Sequence, residues 1–164
     1  MLKPKSTVHD VVCATLDKIT RIAEPQRKFI FHIVELWLSM NCRYVFTNME
    51  RWGGWVEKSY RNWFSKPFDW FSFNINLVSR YAGKELIAVF DPSYIKKSGK
   101  HTYGTGYFWS GVRQRACRGL EIGCLAFVDV VNGTALHALA KQTPGPGLLK
   151  SKGFTLTDHY RDII

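Results

Sequence analysis

"LEIGCLAFVDVVNGTALHALAKQ", residues 120–142, decides how the second half of the chain folds. Mostly apolar residues run through 120–131 and again through 134–140, with Asn132 and Gly133 between them. Asn-Gly is the strongest two-residue hairpin signal, because a type I′ turn needs positive φ at both central positions. The stretch therefore predicts two antiparallel strands joined at Asn132 and Gly133. Upstream, "ELIAVF" (residues 85–90) is a short continuous apolar run. That pattern predicts a third strand, covered on both faces. Downstream, "TPGPG" ends the hairpin and "TLTDHYRDII" opens a helix.

Working back from residue 84, the period changes from strand to helix. Thr7 and Asp10 have capping-box spacing and predict a helix to about Ile19. Glu24 and Pro25 open a second helix, since proline suits the first helical turn. Its residues Phe29, Ile33, Trp37 and Met40 fall on one face, flanked by Ile30, Val34 and Leu38. A short helix starts near Thr47 and breaks at Gly53 and Gly54. Another runs from about Val56 to Ser65, where Pro67 stops it. "FDWFSFNINLVSRYAG" (residues 68–83) makes a fifth, with Gly83 at its C′ position. The one boundary falls near Lys84. Residues 1–84 read as a helical domain and 85–164 as a domain built on strands.

The composition bounds the function. The chain has 164 residues, 46% hydrophobic and 15% aromatic, which is enough to build a core rather than a disordered chain. Its net charge of +10 favours a polyanionic partner, nucleic acid or an anionic membrane surface, although a basic soluble protein carries such charge as well. The longest apolar run, "FIFHIVELWLSM", is interrupted by His32 and Glu35 and is too short to span a bilayer. The start, "MLKPKSTVHD", lacks the apolar core of a signal peptide. Cys13, Cys42, Cys117 and Cys124 show neither CxxC nor zinc spacing and read as buried free thiols of a reducing cytosol.

Two places carry candidate chemistry. The first is the pair of short helices around Gly53 and Gly54, which suggests a helix-turn-helix. In "VEKSYRNWFS" (residues 56–65), Tyr60, Trp63 and Phe64 share one face, and Lys58, Arg61, Asn62 and Ser65 the other. Basic and amide side chains so spaced can meet phosphates and base edges together, with Lys66 beside them. A small helical bundle with a solvated basic face fits the same pattern. The second place is Asp91, the last acidic residue before Glu121. Between them lie Lys96, Lys97, Lys100, Arg113, Arg115 and Arg118, mixed with Tyr94, Tyr103, Tyr107, Phe108 and Trp109. Asp91-Pro92-Ser93 reads as a type I turn. It also reads as a strand-end carboxylate for Mg²⁺, next to a stretch that holds nucleic acid by charge and stacking. Both readings fit Asp91 itself, and only the second accounts for its surroundings.

The stretch "FDPSYIKKSGKHTYGTGYFWSG", continued by "RACRGLEIGCLAFVDVVNGTALHALAKQTP", resembles insertion-sequence transposases of the DDE type. The upstream "FTNMERWGGWVEKSYRNWFSKPFDWFSFN" is similar to their N-terminal DNA-binding region. The resemblance runs from about Phe46 to Pro144. It implies an α+β chain: a helical, helix-turn-helix-like DNA-binding domain at 1–84, then the first three strands of an incomplete ribonuclease H-like catalytic domain at 85–164. It implies Asp91 as the first catalytic, metal-binding carboxylate, with Mg²⁺ or Mn²⁺ as cofactor of the complete enzyme. It also implies double-stranded DNA of element ends as partner, cut and joined through a free 3′-hydroxyl.

Such enzymes need two further carboxylates. If Asp91 pairs near Glu121, Asp129 lies roughly 26 Å away along the strand and reads as a turn-flanking residue. Asp158 and Asp162 face the same difficulty. The chain therefore reads as the front part of a DDE transposase and endonuclease. The alternative is a non-catalytic DNA-binding protein derived from a truncated one, acting as a competitor or regulator. Either is expected in the cytoplasm with the nucleoid, away from membranes. Self-association, or a complementary C-terminal fragment, is expected to cover the open edge of residues 86–90.

Overall fold

Thr7 opens the first helix. Its side chain caps the backbone N–H of Asp10, whose carboxylate returns a bond to Thr7, so α1 (Val8–Leu16) begins with a complete capping box. α2 (Glu24–Ser39) starts with Pro25 in its first turn and buries Phe29, Ile30, Ile33 and Leu36. Leu38, expected beside the buried face, is exposed. Three helices follow: α3 (Phe46–Gly53), α4 (Glu57–Phe64) and α5 (Trp70–Tyr81). The computed structural model describes residues 7–99 and 101–164.

The chain divides into two units, residues 1–76 and 77–164. The division falls inside α5, ahead of the boundary expected at 84. The core of the first unit is aromatic. Tyr60 is fully buried, Trp63 stacks on Phe29 at 5.4 Å, and Trp55 stacks on His32 at 4.5 Å. Stacked and edge-to-face rings add to area burial, so α4 is held to α2 by shape as well as by hydrophobicity. Glycine is required twice between α3 and α4. Gly54 ends α3 in the left-handed region at φ 75°, which side chains other than glycine adopt at a cost. A Cβ on Gly53 would lie 2.1 Å from the Tyr60 hydroxyl, so the backbone there must be bare.

The second unit is a four-stranded antiparallel sheet followed by two short helices, which makes the protein α+β. β1 (Leu86–Lys96), β2 (Gly106–Ser110), β3 (Arg115–Asp129) and β4 (Thr134–Gln142) all pair through β3. β1 and β4 flank the later part of β3, with Leu86 and Thr134 both opposite Asp129. α6 (Pro146–Ser151) and α7 (Leu156–Arg161) follow. α7 opens with a capping box between Thr155 and Asp158.

Several expectations need correction here. The sheet has four strands rather than three. β2 and its turn to β3, with Gln114 at φ 50°, lie in a stretch that Gly, Tyr and basic residues disguise as a loop. The hairpin between β3 and β4 is a four-residue connection, 130–133, rather than a two-residue turn. Asp129 organises it by accepting from the backbone N–H of Val131 and Asn132 and from the Asn132 amide. Gly83 is no left-handed C′ residue. Its N–H donates to Asp129 Oδ2 at 2.6 Å, and a Cβ there would sit 3.0 Å from that oxygen. These bonds, led by the Asn132 N–H, hold the Asp129 carboxyl below its ordinary pKa. The cysteines are all free, but Cys42 is exposed and only Cys117 is fully buried.

β1 is not covered on both faces. Ile87 is 55% and Val89 42% exposed. Alternate residues of β3 from Cys117 to Leu125 are buried, as is Asp129, with Phe127 between them half-buried. The residues that alternate with these share a face with Ile87, Val89, Asp91 and Ile95 and remain partly open. Among the described residues no strand pairs with the other edge of β1.

Candidate nucleic-acid interface

The β2–β3 hairpin gathers the basic residues. Its turn, 111–114, is closed by the Arg113 N–H donating to the Ser110 carbonyl and by the Gln114 amide donating to the Gly111 carbonyl. Tyr107 stands opposite Arg118, and the Tyr94 hydroxyl donates to the Arg118 carbonyl at 2.8 Å. Lys96 ends β1 opposite Gly119, with Lys97 next to it. Lys96, Lys97, Arg113, Arg115 and Arg118, with Tyr94 and Tyr107, thereby line one concavity of about 380 Å³. All five cations are exposed, and among the described residues none forms an ion pair. A like-charged concavity with aromatic walls is costly unless an anion fills it, since mutual repulsion is then relieved and rings offer stacking surfaces. Lys100, expected in the same set, lies outside the described residues.

The helical unit presents a second basic surface. Lys58, Arg61, Asn62 and Lys66 are exposed, while Tyr60 and Trp63 on the same helix turn inward. Arg61 is engaged within the unit: it pairs with Glu57 one turn earlier, and its guanidinium lies 4.7 Å from the Phe46 ring. Lys66 lies over the Trp63 ring at 3.7 Å. Among the described residues the side chains of Lys58 and Asn62 have no hydrogen-bond or ion-pair partner. An exposed i,i+4 pair is worth only about 0.3–0.5 kcal/mol, so Arg61 can exchange Glu57 for a phosphate at little cost.

Asp91 is neither a strand end nor a turn. β1 continues through Pro92 to Lys96, and Asp91 stands opposite Cys124 in mid-strand, exposed, accepting from the Ser93 hydroxyl at 2.9 Å. β1 tolerates Pro92 because an edge strand has one side whose N–H groups go unpaired. The register also shortens the expected distance to Asp129, which lies five residues beyond Cys124, or roughly 17 Å. That is still far too long for shared metal ligation, and Asp129 is spent on its turn. Among the described residues no three His, Cys, Asp or Glu side chains come together to hold a metal ion. One exposed carboxylate does not fit Mg²⁺ as a fixed ligand set, because the ion keeps its waters unless several oxygens compete for it.

Residues that sequence reasoning missed lie under the covered face of the sheet. Glu121 is 6% exposed and accepts from the Tyr160 hydroxyl at 2.5 Å. Burial and the Glu121 carboxylate beside it push the Tyr160 phenol well above its ordinary pKa, so it stays a donor. Tyr160 also packs on Phe90 at 5.2 Å. Glu121 stands on the buried face of β3, and nothing in the sequence told that α7 would return to meet it there. Comparison with protein-family models, curated proteins and solved structures finds no match to this chain.

Proposed function

We propose that the chain binds DNA and is the front part of a DDE-type insertion-sequence transposase. The observation that carries this reading is the concavity where Lys96, Lys97, Arg113, Arg115 and Arg118 converge with two tyrosines. On this reading α3 and α4 form a helix-turn-helix that meets duplex DNA of element ends through Lys58, Arg61, Asn62 and Lys66. The basic concavity holds a strand close to the sheet. β1 paired with β3, which forms a hairpin with β4, supports a ribonuclease H-like sheet, in which the strand bearing the first carboxylate pairs with a hairpin. Such a protein works in the cytoplasm, on the nucleoid.

Cutting and joining DNA needs Mg²⁺ or Mn²⁺ to stabilise the attacking and leaving oxygens. Asp91 alone cannot hold such an ion, so this chain by itself is proposed to bind without cleaving. The exposed, isolated position of Asp91 favours a non-catalytic role for it, as competitor or regulator at element ends, unless a complementary fragment supplies further carboxylates.

Gel-shift titration over a range of salt concentrations tests the reading. Each neutralised phosphate adds about −0.9 to the slope of log affinity against log salt. Replacing Lys96, Lys97, Arg113, Arg115 and Arg118 by alanine is expected to flatten the slope by up to about 4.5 if each meets one phosphate. Binding without salt dependence, or a slope unchanged in that variant, would remove the proposal. Asp91→Asn is expected to bind DNA as the parent does, and neither protein to nick DNA with Mg²⁺ or Mn²⁺. Metal-dependent nicking that Asp91→Asn abolishes would show that another carboxylate reaches the site.

A further inference from the structure

Beside the basic concavity lies a second cavity of about 630 Å³, and Tyr107 lines both. Its walls include Phe108, Trp109, Phe154 and Tyr160, and Glu121 is part of its lining. A buried carboxylate is expensive unless paired or fully hydrogen-bonded. Among the described residues no cation forms an ion pair with Glu121, and only the Tyr160 hydroxyl donates to its side chain. A carboxylate has about four lone-pair sites, so one phenol leaves both oxygens able to accept more.

The chemistry of the two cavities selects a ligand. A free organic cation would suit Glu121 and the rings, but five neighbouring cations repel it. A nucleotide suits both: its phosphate lies with the cations and its base with the aromatic walls. Among the four bases only guanine presents two adjacent N–H donors, N1–H and N2–H, on one edge. Adenine and cytosine set an acceptor beside their amino group, and thymine offers one N–H between two carbonyls. A carboxylate accepts from both guanine donors and repels the acceptors of the others.

We propose that this cavity binds an unstacked guanine of a single-stranded segment, with its N1–H and N2–H donated to Glu121, its ring among Phe108, Phe154 and Tyr160, and its phosphate beyond Tyr107 in the basic concavity. The proposal rests on the DNA-binding reading above and adds to it a base-specific site. The raised pKa of Tyr160 keeps the hydroxyl donating to Glu121, which leaves the carboxylate to accept from the base.

The test is fluorescence anisotropy with the whole chain and labelled thymine oligonucleotides that carry at one central position guanine, hypoxanthine, adenine or thymine. The guanine oligonucleotide is expected to bind about tenfold more tightly than all-thymine, the scale of one bidentate contact. Hypoxanthine, which lacks the N2 amino group, is expected to fall between them. Glu121→Gln is expected to erase the preference, bringing guanine and thymine oligonucleotides to the same affinity. Tyr107→Ala, at a position 68% exposed, is expected to reduce the preference without loss of fold. The base series is read on the parent chain, so it decides the matter even if Glu121→Gln fails to fold. Equal affinity for guanine and thymine would overturn the guanine site and leave the DNA-binding reading standing. Absence of binding to every oligonucleotide would overturn the guanine site together with the strand-holding role of the basic concavity, while duplex binding is decided by the gel-shift titration.

Discussion

Tyr60 in the helical unit and Val89 in the sheet unit are both large apolar residues near the middle of their elements. Tyr60 is fully buried, whereas Val89 is 42% exposed. The helical unit buries its core among its own rings: Phe29, Trp55 and Trp63 surround the α2–α4 contact, and the Tyr60 hydroxyl meets His32 at 2.8 Å. The sheet unit encloses one face only. Under β3, Leu125, Leu149 and Ile163 are buried, while Ile87, Val89 and Ile95 on the other face are exposed around Asp91. A helix can bury its stripe against a single neighbour, but a sheet has two faces and two edges to satisfy.

The largest effect expected from this contrast is on stability. Tyr60→Ala is expected to cost about 3–5 kcal/mol, because a large ring leaves a cavity and His32 loses its partner. Val89→Ala is expected to cost under about 1 kcal/mol, since little buried area is lost. Urea denaturation of both variants checks the pair, and equal costs would break the comparison.

Self-association comes next. A flat apolar face with an unpaired strand edge recruits another chain, so a second copy is expected to cover β1. Light scattering is expected to show concentration-dependent dimers or larger species, and Val89→Lys to shift them to monomer. A monomer unaffected by concentration, with slow amide exchange along residues 86–90, would mean that the edge is protected from within.

The pH dependence follows from two histidines. Burial lowers the pKa of both His32 and His159 from the ordinary value of 6.5. Below about pH 6.5 the unfolded chain takes up protons that the folded chain still refuses, so stability falls as pH drops from there toward the lower folded values. Urea midpoints measured between pH 7 and pH 5 should decline. His32→Gln should flatten the helical unit's share of that decline.

The smallest effect concerns Arg61. Glu57→Gln removes its intramolecular partner and is expected to raise DNA affinity about twofold, in keeping with the small worth of an exposed pair. A loss of affinity would mean that Glu57 orients Arg61 for DNA rather than competing with it.

Much of the fold was legible locally. The capping box at Thr7 and Asp10, proline in the first turn of α2, and Gly54 past α3 each act within a few residues, where sequence order and spatial order coincide. The hairpin of β3 and β4 was legible from its apolar runs, but its turn was not. Asp129 competes for the backbone N–H groups that a two-residue turn would leave to the strands. β2 escaped notice because it is only five residues long, and its pairing is supplied by Arg115 to Gly119 of β3, a basic, glycine-containing stretch that does not itself read as a strand. The candidate basic residues were visible as a run, yet composition could not tell that five of them share one concavity.

By itself the sequence determined the order of helices before strands, the positions of most helix starts, the positive charge and the hairpin of β3 and β4. These follow from local hydrogen bonding and from side-chain period. Only the tertiary structure decided that β1 runs on past Asp91, that Asp91 stands alone and exposed, and that Glu121 meets Tyr160 across 39 residues of chain. Those outcomes depend on register and on which element returns to cover which face. Such long-range choices cost loop-closure entropy, and packing rather than local propensity repays it.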